Sequence, residues 1–183
     1  FQVMVKLENK LKKKKLKIGI LGGSFDPAHK GHLAISKEAL KRFNLKNVIW
    51  AITNQNPFKK KTYNNLKKRI DICKKIIGTN KSIRVKFFEN IIHSNKTADL
   101  INYLSKKKKY DLFYLMGADN LIYFHKWYKW KQILKKSNII VFDRSGYKKK
   151  SLNSKAYKST NETQVTFVEF NKVNISSSKL RKI

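Results

Sequence analysis

The sequence predicts an α/β fold with a doubly wound, mostly parallel sheet. Short apolar segments alternate with longer segments in which apolar residues recur every three or four positions, as expected for strands that alternate with helices. Connections of this kind join parallel strands through right-handed crossovers. The chain has 183 residues, 41% of them hydrophobic, which is enough for one domain with a substantial core.

The strands are predicted from short apolar segments bounded by polar or glycine-containing turns. The first, Leu16-Lys-Ile-Gly-Ile-Leu21, precedes a glycine-rich loop, and the second, 47–53, ends at the polar turn 54–57. Four further strands are predicted at 82–88, 111–116, 137–142 and 163–170.

The helices are predicted from apolar residues at three- and four-residue spacing. This pattern covers 31–43, 63–77, 97–104 and 127–134, and a last helical turn is expected at 176–181. Residues 1–15 are predicted to be a lysine-rich, solvated lead-in, and residues 16–183 a single domain. Ligands bind beyond the carboxyl ends of parallel strands, so the loops expected at the site are 22–32, 53–61, 117–127 and 143–147.

The net charge of the chain is strongly positive. Lysine and arginine number 43 against 11 acidic residues, a formal charge of +32. A nucleic-acid surface is one interpretation. However, nearly all the excess is lysine in scattered short runs, together with abundant asparagine and isoleucine, as a genome biased toward A and T would encode. We favour this second interpretation and expect no nucleic-acid partner, although the field favours anionic substrates.

The cysteine content and the apolar runs bear on the compartment. Cys73 is the only cysteine, so neither an intrachain disulfide nor a cysteine-based zinc site can form. The longest apolar runs, 112–116 and 139–142, are too short to span a bilayer, and the N-terminus has no signal-peptide pattern. We therefore expect a cytoplasmic protein without a membrane partner, whose oligomeric state is open.

The turn between the first strand and first helix, Gly22-Gly-Ser-Phe-Asp-Pro-Ala-His-Lys-Gly-His32, has the features of a phosphate site. Its glycines let backbone N–H groups approach an anion closely, and Ser24 adds a hydroxyl donor. The helix that follows contributes free N–H groups and the positive end of its dipole. His29 and His32 lie three residues apart, so both imidazoles can stabilise charge on one anionic ligand.

Other interpretations of this turn fit its spacing less well. It lacks the G-x-G-x-x-G spacing of dinucleotide-binding folds and the terminal G-K-[ST] of P-loops. The histidine pair has no cysteine or acidic residue beside it at zinc-site spacing. A purely structural role, in which both histidines cap and pack, remains an alternative.

Several segments together resemble a known family. The turn at 22–32 resembles the H-x-G-H nucleotidyltransferases, and the segments 116–120, 127–130, 143–147 and 175–181 follow in the order found in bacterial nicotinate-nucleotide adenylyltransferases. The resemblance implies a Rossmann-like fold of the nucleotidyltransferase type. It also implies adenylyl transfer from ATP, accompanied by Mg²⁺, to nicotinate mononucleotide, giving nicotinate adenine dinucleotide and pyrophosphate in NAD biosynthesis.

The resemblance also implies roles for individual residues. His29 and His32 would be the catalytic contacts to the ATP phosphates, and Asp119 suits the ribose hydroxyls. The remaining ATP-binding residues would be Gly22, Gly23, Ser24, Phe25, Ser176, Ser178 and Arg181. The acceptor would be bound by Lys59, Thr97, Trp127 and Tyr128, with the Trp127 indole on the pyridine ring. For Trp127 ordinary core packing is the alternative, for Asp119 a helix cap, and for the serines a disordered tail.

The chain departs from the family's pattern at two points. Residues 95–97 are Asn-Lys-Thr where the family often has Ser-Tyr-Thr, and Phe58 stands where a histidine is frequent. Three other functions stay open: adenylyl transfer to phosphopantetheine, cytidylyl transfer to a polyol phosphate, and nucleic-acid binding through the lysines.

Overall fold

The computed structural model describes residues 15–55, 62–143, 146–160 and 164–170. Within these ranges six strands form one parallel sheet in the order β3-β2-β1-β4-β5-β6. The strands are β1 (Leu16–Gly23), β2 (Asn47–Ile52), β3 (Ile83–Phe87), β4 (Tyr110–Gly117), β5 (Asn138–Phe142) and β6 (Val165–Val168). The strand order reverses between β1 and β4, where doubly wound sheets bind their ligands. This topology confirms the predicted fold class.

Helices connect the strands and flank the sheet. They are α1 (Lys30–Arg42), α2 (Leu66–Ile77), α3 (Glu89–Ile92), α4 (Thr97–Ser105), α5 (Ala118–Tyr123), α6 (Trp130–Lys136), α7 (Lys148–Leu152) and α8 (Lys155–Lys158). A 3₁₀ turn, Phe124–Lys126, links α5 toward α6. None of the helices in the described ranges combines the length and apolar character needed to cross a bilayer.

The core consists of two hydrophobic clusters, one on each face of the sheet. Alternate residues of a strand point to opposite faces, so Leu112, Tyr114 and Met116 of β4 join one cluster, while Phe113 and Leu115 join the other. The first cluster includes buried residues of α4 and α6, and the second includes residues of α1 and α2. The inner strands are therefore buried on both faces, which explains their continuously apolar sequences.

Several predicted boundaries are wrong in ways that matter for the site. Strand β1 continues through Gly22 and Gly23, which pair with Ala51 and Ile52, so the two glycines end the strand and are not part of the loop. The helix predicted at 127–134 begins only at Trp130. The short helices α3, α5, α7 and α8 were not predicted, because four to six residues carry too little periodicity.

Parts of the predicted organisation lie outside the described residues. These are residues 1–14 of the lead-in and the helical turn at 176–181. The division into a lead-in at 1–15 and a single domain at 16–183 stays a prediction, although β1 does begin at Leu16.

Candidate active site

A cavity of about 330 Å³ lies at the carboxyl ends of the central strands. It is lined by segments 21–25, 51–53, 88–89, 94–97, 114–117 and 119–120, together with single side chains from α1 and from the 127–128 turn. The loops predicted at 22–32, 53–61 and 117–127 all contribute residues. In the described part of the chain the loop at 143–147 contributes none. The segment after β3 also lines the cavity, and the sequence predicted only Thr97 of its residues.

Ten of the predicted site residues line this one cavity. They are Gly22, Gly23, Ser24, Phe25, His29, His32, Thr97, Asp119, Trp127 and Tyr128. The other four, Lys59, Ser176, Ser178 and Arg181, lie outside the described residues. The residues drawn together come from positions more than 100 apart in the chain, so their convergence is a property of the fold.

His29 and His32 form a reciprocal cap at the start of α1. His29 is the N-cap residue, and its Nδ1 accepts a hydrogen bond from the Gly31 N–H at 3.1 Å. His32 Nδ1 in turn accepts from the His29 N–H at 3.2 Å. This is the arrangement of a capping box, with imidazoles in place of the usual hydroxyl and carboxylate. The three-residue spacing of the histidines therefore follows from the geometry of a helix start.

The cap determines which ring nitrogen of each histidine can donate. Because both Nδ1 atoms accept hydrogen bonds, a neutral ring must carry its proton on Nε2. The two ring centroids are only 3.8 Å apart, and both residues line the cavity. The structural alternative is thus correct that both histidines cap. Each ring caps through Nδ1, so Nε2 is the ring nitrogen that can donate.

The His32 ring packs against Phe25, which in turn stacks on Trp50. The Phe25 ring lies 4.9 Å from the His32 ring and stacks on Trp50 at 5.0 Å. The Trp50 Nε1–H donates to the Ser36 hydroxyl at 2.8 Å, and that hydroxyl donates to the His32 carbonyl at 2.8 Å. The imidazole is therefore held by ring packing, and its backbone by hydrogen bonds through Ser36, one helical turn along α1, which gives it a preorganised orientation.

Phe25 anchors the predicted phosphate-binding turn at 22–32, hereafter the phosphate turn, in an unusual backbone conformation. Its φ angle is +47°, in the left-handed region, and its side chain is only 2% exposed. Such a conformation costs a bulky residue roughly 1–3 kcal/mol. Burial of the ring against Trp50 offsets this cost and keeps the backbone of the turn in this conformation.

Gly22 is required by a side chain that the sequence did not predict for the site. A Cβ at this position would lie 2.6 Å from the Tyr114 hydroxyl oxygen, so any other residue would have to displace this buried tyrosine. Tyr114 and Thr97 both line the cavity, and the Thr97 side chain lies near the Tyr114 hydroxyl. Burial raises the pKa of Tyr114 to about 12, so it stays a neutral phenol. Tyr114 thus links the phosphate turn to the predicted acceptor side of the cavity.

Asp119 lies in the first turn of α5 and carries an unsatisfied oxygen. Its Oδ1 is buried and has no hydrogen-bond partner among the described residues, although the residue lines the cavity. The N-cap position of α5 is Gly117, so Asp119 is not the cap residue. Buried carboxylate oxygens are nearly always paired, and an unpaired one at a cavity wall fits a hydroxyl-bearing ligand.

Trp127 both packs in the core and lines the cavity. Its ring meets Tyr114 at 6.0 Å and Phe124 at 5.3 Å, both edge to face. The neighbouring Tyr128 is 48% exposed and lines the same region, with the Lys129 ammonium 5.0 Å from its ring centroid. The packing interpretation of Trp127 is therefore compatible with a binding role, because one edge is fixed while the residue still borders the cavity.

Glu89 and Lys96 also line the cavity, and neither was predicted. The Glu89 carboxylate accepts hydrogen bonds from the Thr53 hydroxyl and, at 3.0 Å, from the Asn54 N–H. Glu89 and Lys96 lie in the segment that follows β3, and the carboxyl end of this parallel strand is also a place where ligands bind.

The fold and the paired histidines define a nucleotidyltransferase, and a cytidylyltransferase-like family model matches residues 20–183. A protein of Pelagibacter ubique named as a probable nicotinate-nucleotide adenylyltransferase is 64% identical over 180 residues, 98% of this chain and 100% of that one. A counterpart with the same name from Bradyrhizobium sp. (strain ORS 278) is 38% identical over 143 residues, 77% of this chain and 74% of its own length. The chain belongs to the nicotinate-nucleotide adenylyltransferase family.

Solved structures show the same fold. The Plasmodium falciparum nicotinic acid mononucleotide adenylyltransferase complexed with NaAD superposes with a TM-score of 0.74 at 20% identity, covering 91% of this chain and 83% of that one. The same enzyme complexed with APC gives a TM-score of 0.73 at 18% identity, with the same coverage.

Proposed function

We propose that the protein transfers the adenylyl group of ATP to nicotinate mononucleotide, forming nicotinate adenine dinucleotide and pyrophosphate as a step of NAD biosynthesis. The observation that carries the proposal is the pair of capping imidazoles, which line a cavity at the strand-order switch with Nε2–H as their donor. The 64% identity with a protein named for this activity supports the choice of substrates. A cytoplasmic location is part of the proposal, since a lone buried cysteine suits a reducing compartment.

The reaction requires positioning and charge stabilisation more than acid–base chemistry. An oxygen of the acceptor phosphate attacks the α-phosphorus of ATP, and the bond from that phosphorus to the oxygen bridging the α- and β-phosphates breaks. The acceptor oxygen is already ionised near neutral pH, so no general base is needed. Negative charge grows on the departing pyrophosphate and on the α-phosphate oxygens. His29 and His32 would donate to these oxygens, and the N-terminus of α1 adds its dipole.

The rest of the cavity would bind the two nucleotides. Asp119 Oδ1, unpaired among the described residues, would accept from the adenosine ribose hydroxyls. Trp127 would stack on the positively charged pyridine ring, a cation–π contact of about 0.5–2 kcal/mol. Thr97 and Tyr128 would hold the nicotinate carboxylate, with the Lys96 ammonium adding positive charge.

The four predicted contacts outside the described residues keep their proposed roles. Lys59 would contact the acceptor phosphate. A second binding site for the ATP phosphates would be formed by Ser176, Ser178 and Arg181.

Magnesium fits this site as a companion of ATP. In the ranges that the structure describes, no three histidine, cysteine or acidic side chains converge as a metal cage. Mg²⁺ retains several waters and binds mainly to phosphate oxygens in enzymes of this kind, so the cavity needs no such cage. When bound, the ion would neutralise part of the triphosphate charge.

A pyrophosphate-release assay tests the proposal. ATP and CTP are each offered with nicotinate mononucleotide, nicotinamide mononucleotide, phosphopantetheine and a polyol phosphate, and products are identified by mass spectrometry. We expect ATP with nicotinate mononucleotide to give the highest kcat/KM. Preference for phosphopantetheine or for CTP would refute the assignment in favour of another nucleotidyltransferase. Absence of turnover, with tight salt-sensitive binding to RNA or DNA, would favour the nucleic-acid alternative.

A further inference from the structure

Arg69 is a buried arginine whose hydrogen bonds, among the described residues, go to backbone carbonyls. It lies on α2 with 0% exposure. Its Nη1 donates to the Ser24 and Thr53 carbonyls, each at 2.7 Å. Its Nη2 donates to the Asn54 carbonyl at 2.9 Å, and its Nε to the Asn64 carbonyl at 3.0 Å. One guanidinium therefore joins three separate stretches of chain.

Two of these stretches form walls of the cavity. Ser24 belongs to the phosphate turn, and Thr53 directly follows β2; both line the cavity. A backbone hydrogen bond from the Thr53 N–H to the Gly23 carbonyl, at 3.0 Å, adds a direct link between them. Arg69 itself does not line the cavity, so any effect on substrates must pass through these loops.

The carboxylates of Asp26 and Glu89 form further hydrogen bonds to the segments that Arg69 joins. Asp26 accepts from the Tyr63 N–H, and from the Asn64 N–H and amide at 3.1 and 2.8 Å, which ties the phosphate turn to the start of α2. Glu89 accepts from the hydroxyl of Thr53 and the N–H of Asn54, whose carbonyls Arg69 holds. Burial lowers the pKa of the Arg69 guanidinium, while the Asp26 and Glu89 charges oppose that shift.

Stability alone does not account for a charged group in this position. Burial of a guanidinium is costly, and well-packed apolar residues often replace buried charges with no loss of stability. Only five of the 43 basic residues in the chain are arginines. A planar guanidinium can direct N–H groups to several carbonyls in fixed directions, whereas a lysine ammonium cannot. The geometry therefore indicates that Arg69 fixes the relative positions of the loops it joins.

We propose that Arg69 is a positioning residue, whose guanidinium sets the spacing between the phosphate turn and the segment after β2 and thereby aligns the two substrates for transfer. The proposal rests on the proposed function. Since Arg69 acts on alignment and touches neither substrate, its loss should lower kcat more than it raises the KM for ATP.

The test compares three variants with the wild-type enzyme. Arg69→Met removes the guanidinium but keeps most of the side-chain volume, and Arg69→Lys keeps the positive charge. Arg42→Met is the control, because Arg42 is exposed on α1 and its ion pair in the described part of the chain is with Glu38. Misplacement of reacting groups by about 1 Å costs on the order of a hundredfold in rate. We expect Arg69→Met to lower kcat by roughly 10- to 100-fold with the KM for ATP changed by less than about threefold. Arg69→Lys should be intermediate, and Arg42→Met should be unchanged.

Hydrogen–deuterium exchange supplies a second readout that needs no turnover. Peptides covering 22–26 and 51–55 should exchange faster in Arg69→Met than in the wild type, while peptides from α4 and β4 should not change.

Chemical rescue is a third test. Addition of methylguanidinium to Arg69→Ala should restore part of the lost kcat. If Arg69→Met does not fold, Arg69→Lys and Glu89→Gln are compared in the same way.

A purely structural role would give a different pattern. A lower melting temperature with kcat within threefold of wild type well below that temperature, and with unchanged exchange at 22–26 and 51–55, would overturn the proposal. Failure of the wild-type enzyme to form nicotinate adenine dinucleotide would instead refute the proposed function, and the exchange data would then decide the role of Arg69 alone.

Discussion

Substitution of His32 can separate its two roles, because one ring nitrogen caps α1 and the other is the proposed phosphate donor. His32→Ala removes both. His32→Gln places an amide at the third helical position, where glutamine commonly accepts from the N-cap N–H and completes a capping box. The glutamine can therefore replace Nδ1 as partner of the His29 N–H, but it does not place an N–H donor where the ring places Nε2.

The structure sets the magnitudes for the two variants. Both lose the ring contact with Phe25, worth about 0.5–1.5 kcal/mol. Only His32→Ala loses the cap, and a lost cap costs about 1 kcal/mol, or roughly 2–4 °C in Tm for a chain of this size. Loss of one preorganised donor to a developing charge lowers kcat by about 100- to 1000-fold. We thus expect similar large losses of turnover but unequal losses of stability.

Two measurements check this expectation: steady-state pyrophosphate release at saturating substrates, and thermal unfolding without ligand. His32→Gln should melt a few degrees above His32→Ala while both turn over about a hundredfold more slowly than the wild type. A drop in kcat of less than threefold in both variants, with the fold intact, would show that His32 is only a helix cap.

Three further predictions concern Trp127, Asp119 and Cys73. Trp127→Ala should raise the KM for nicotinate mononucleotide by roughly 2- to 30-fold. The control Trp130→Phe, at a residue that does not line the cavity, should leave this KM unchanged. An unchanged KM in Trp127→Ala would show that Trp127 is only a core residue. Asp119→Asn should raise the KM for ATP about tenfold or more. It should leave Tm unchanged or higher, because it removes the charge from a carboxylate whose buried Oδ1 has no partner among the described residues; a lower Tm with unchanged KM would contradict the ribose contact. Burial raises the pKa of Cys73 from 9.0 to about 12, so the native thiol at pH 8 should react with a thiol reagent at least about 100-fold more slowly than the thiol in urea. The unfolded thiol ionises near pH 9 and the folded one near 12, so stability should fall as pH rises across that window, and less steeply in Cys73→Ala; equal slopes would refute this.

The local features of the site could be predicted from the sequence because they depend on neighbours in the chain. A strand, two glycines and a helix start with two histidines are contiguous, and the physics of a helix N-terminus applies wherever such a segment folds. The six predicted residues of this segment, from Gly22 to His32, accordingly line one cavity. The same locality explains why the alternation of strands and helices was enough to predict a parallel sheet.

The residues that the sequence did not reveal act across long separations. Arg69 bonds to Ser24 over 45 positions, and Glu89 to Thr53 over 36. On a lysine-rich helix a single arginine looks like another solvated charge, and only the rarity of arginine in the chain could have drawn attention to it. Tyr114 was assigned to a buried strand, which is correct, but its hydroxyl reaches the cavity beside Gly22.

By itself the sequence determined the class of sheet, the place of the phosphate turn and the pairing of two imidazoles, because each depends on residue types within a few positions of one another. Only the tertiary structure decided which histidine nitrogens cap and which can donate, why Gly22 must lack a Cβ, and how one buried guanidinium holds two walls of the cavity. These properties depend on distances between segments far apart in the chain, which packing of the whole domain establishes.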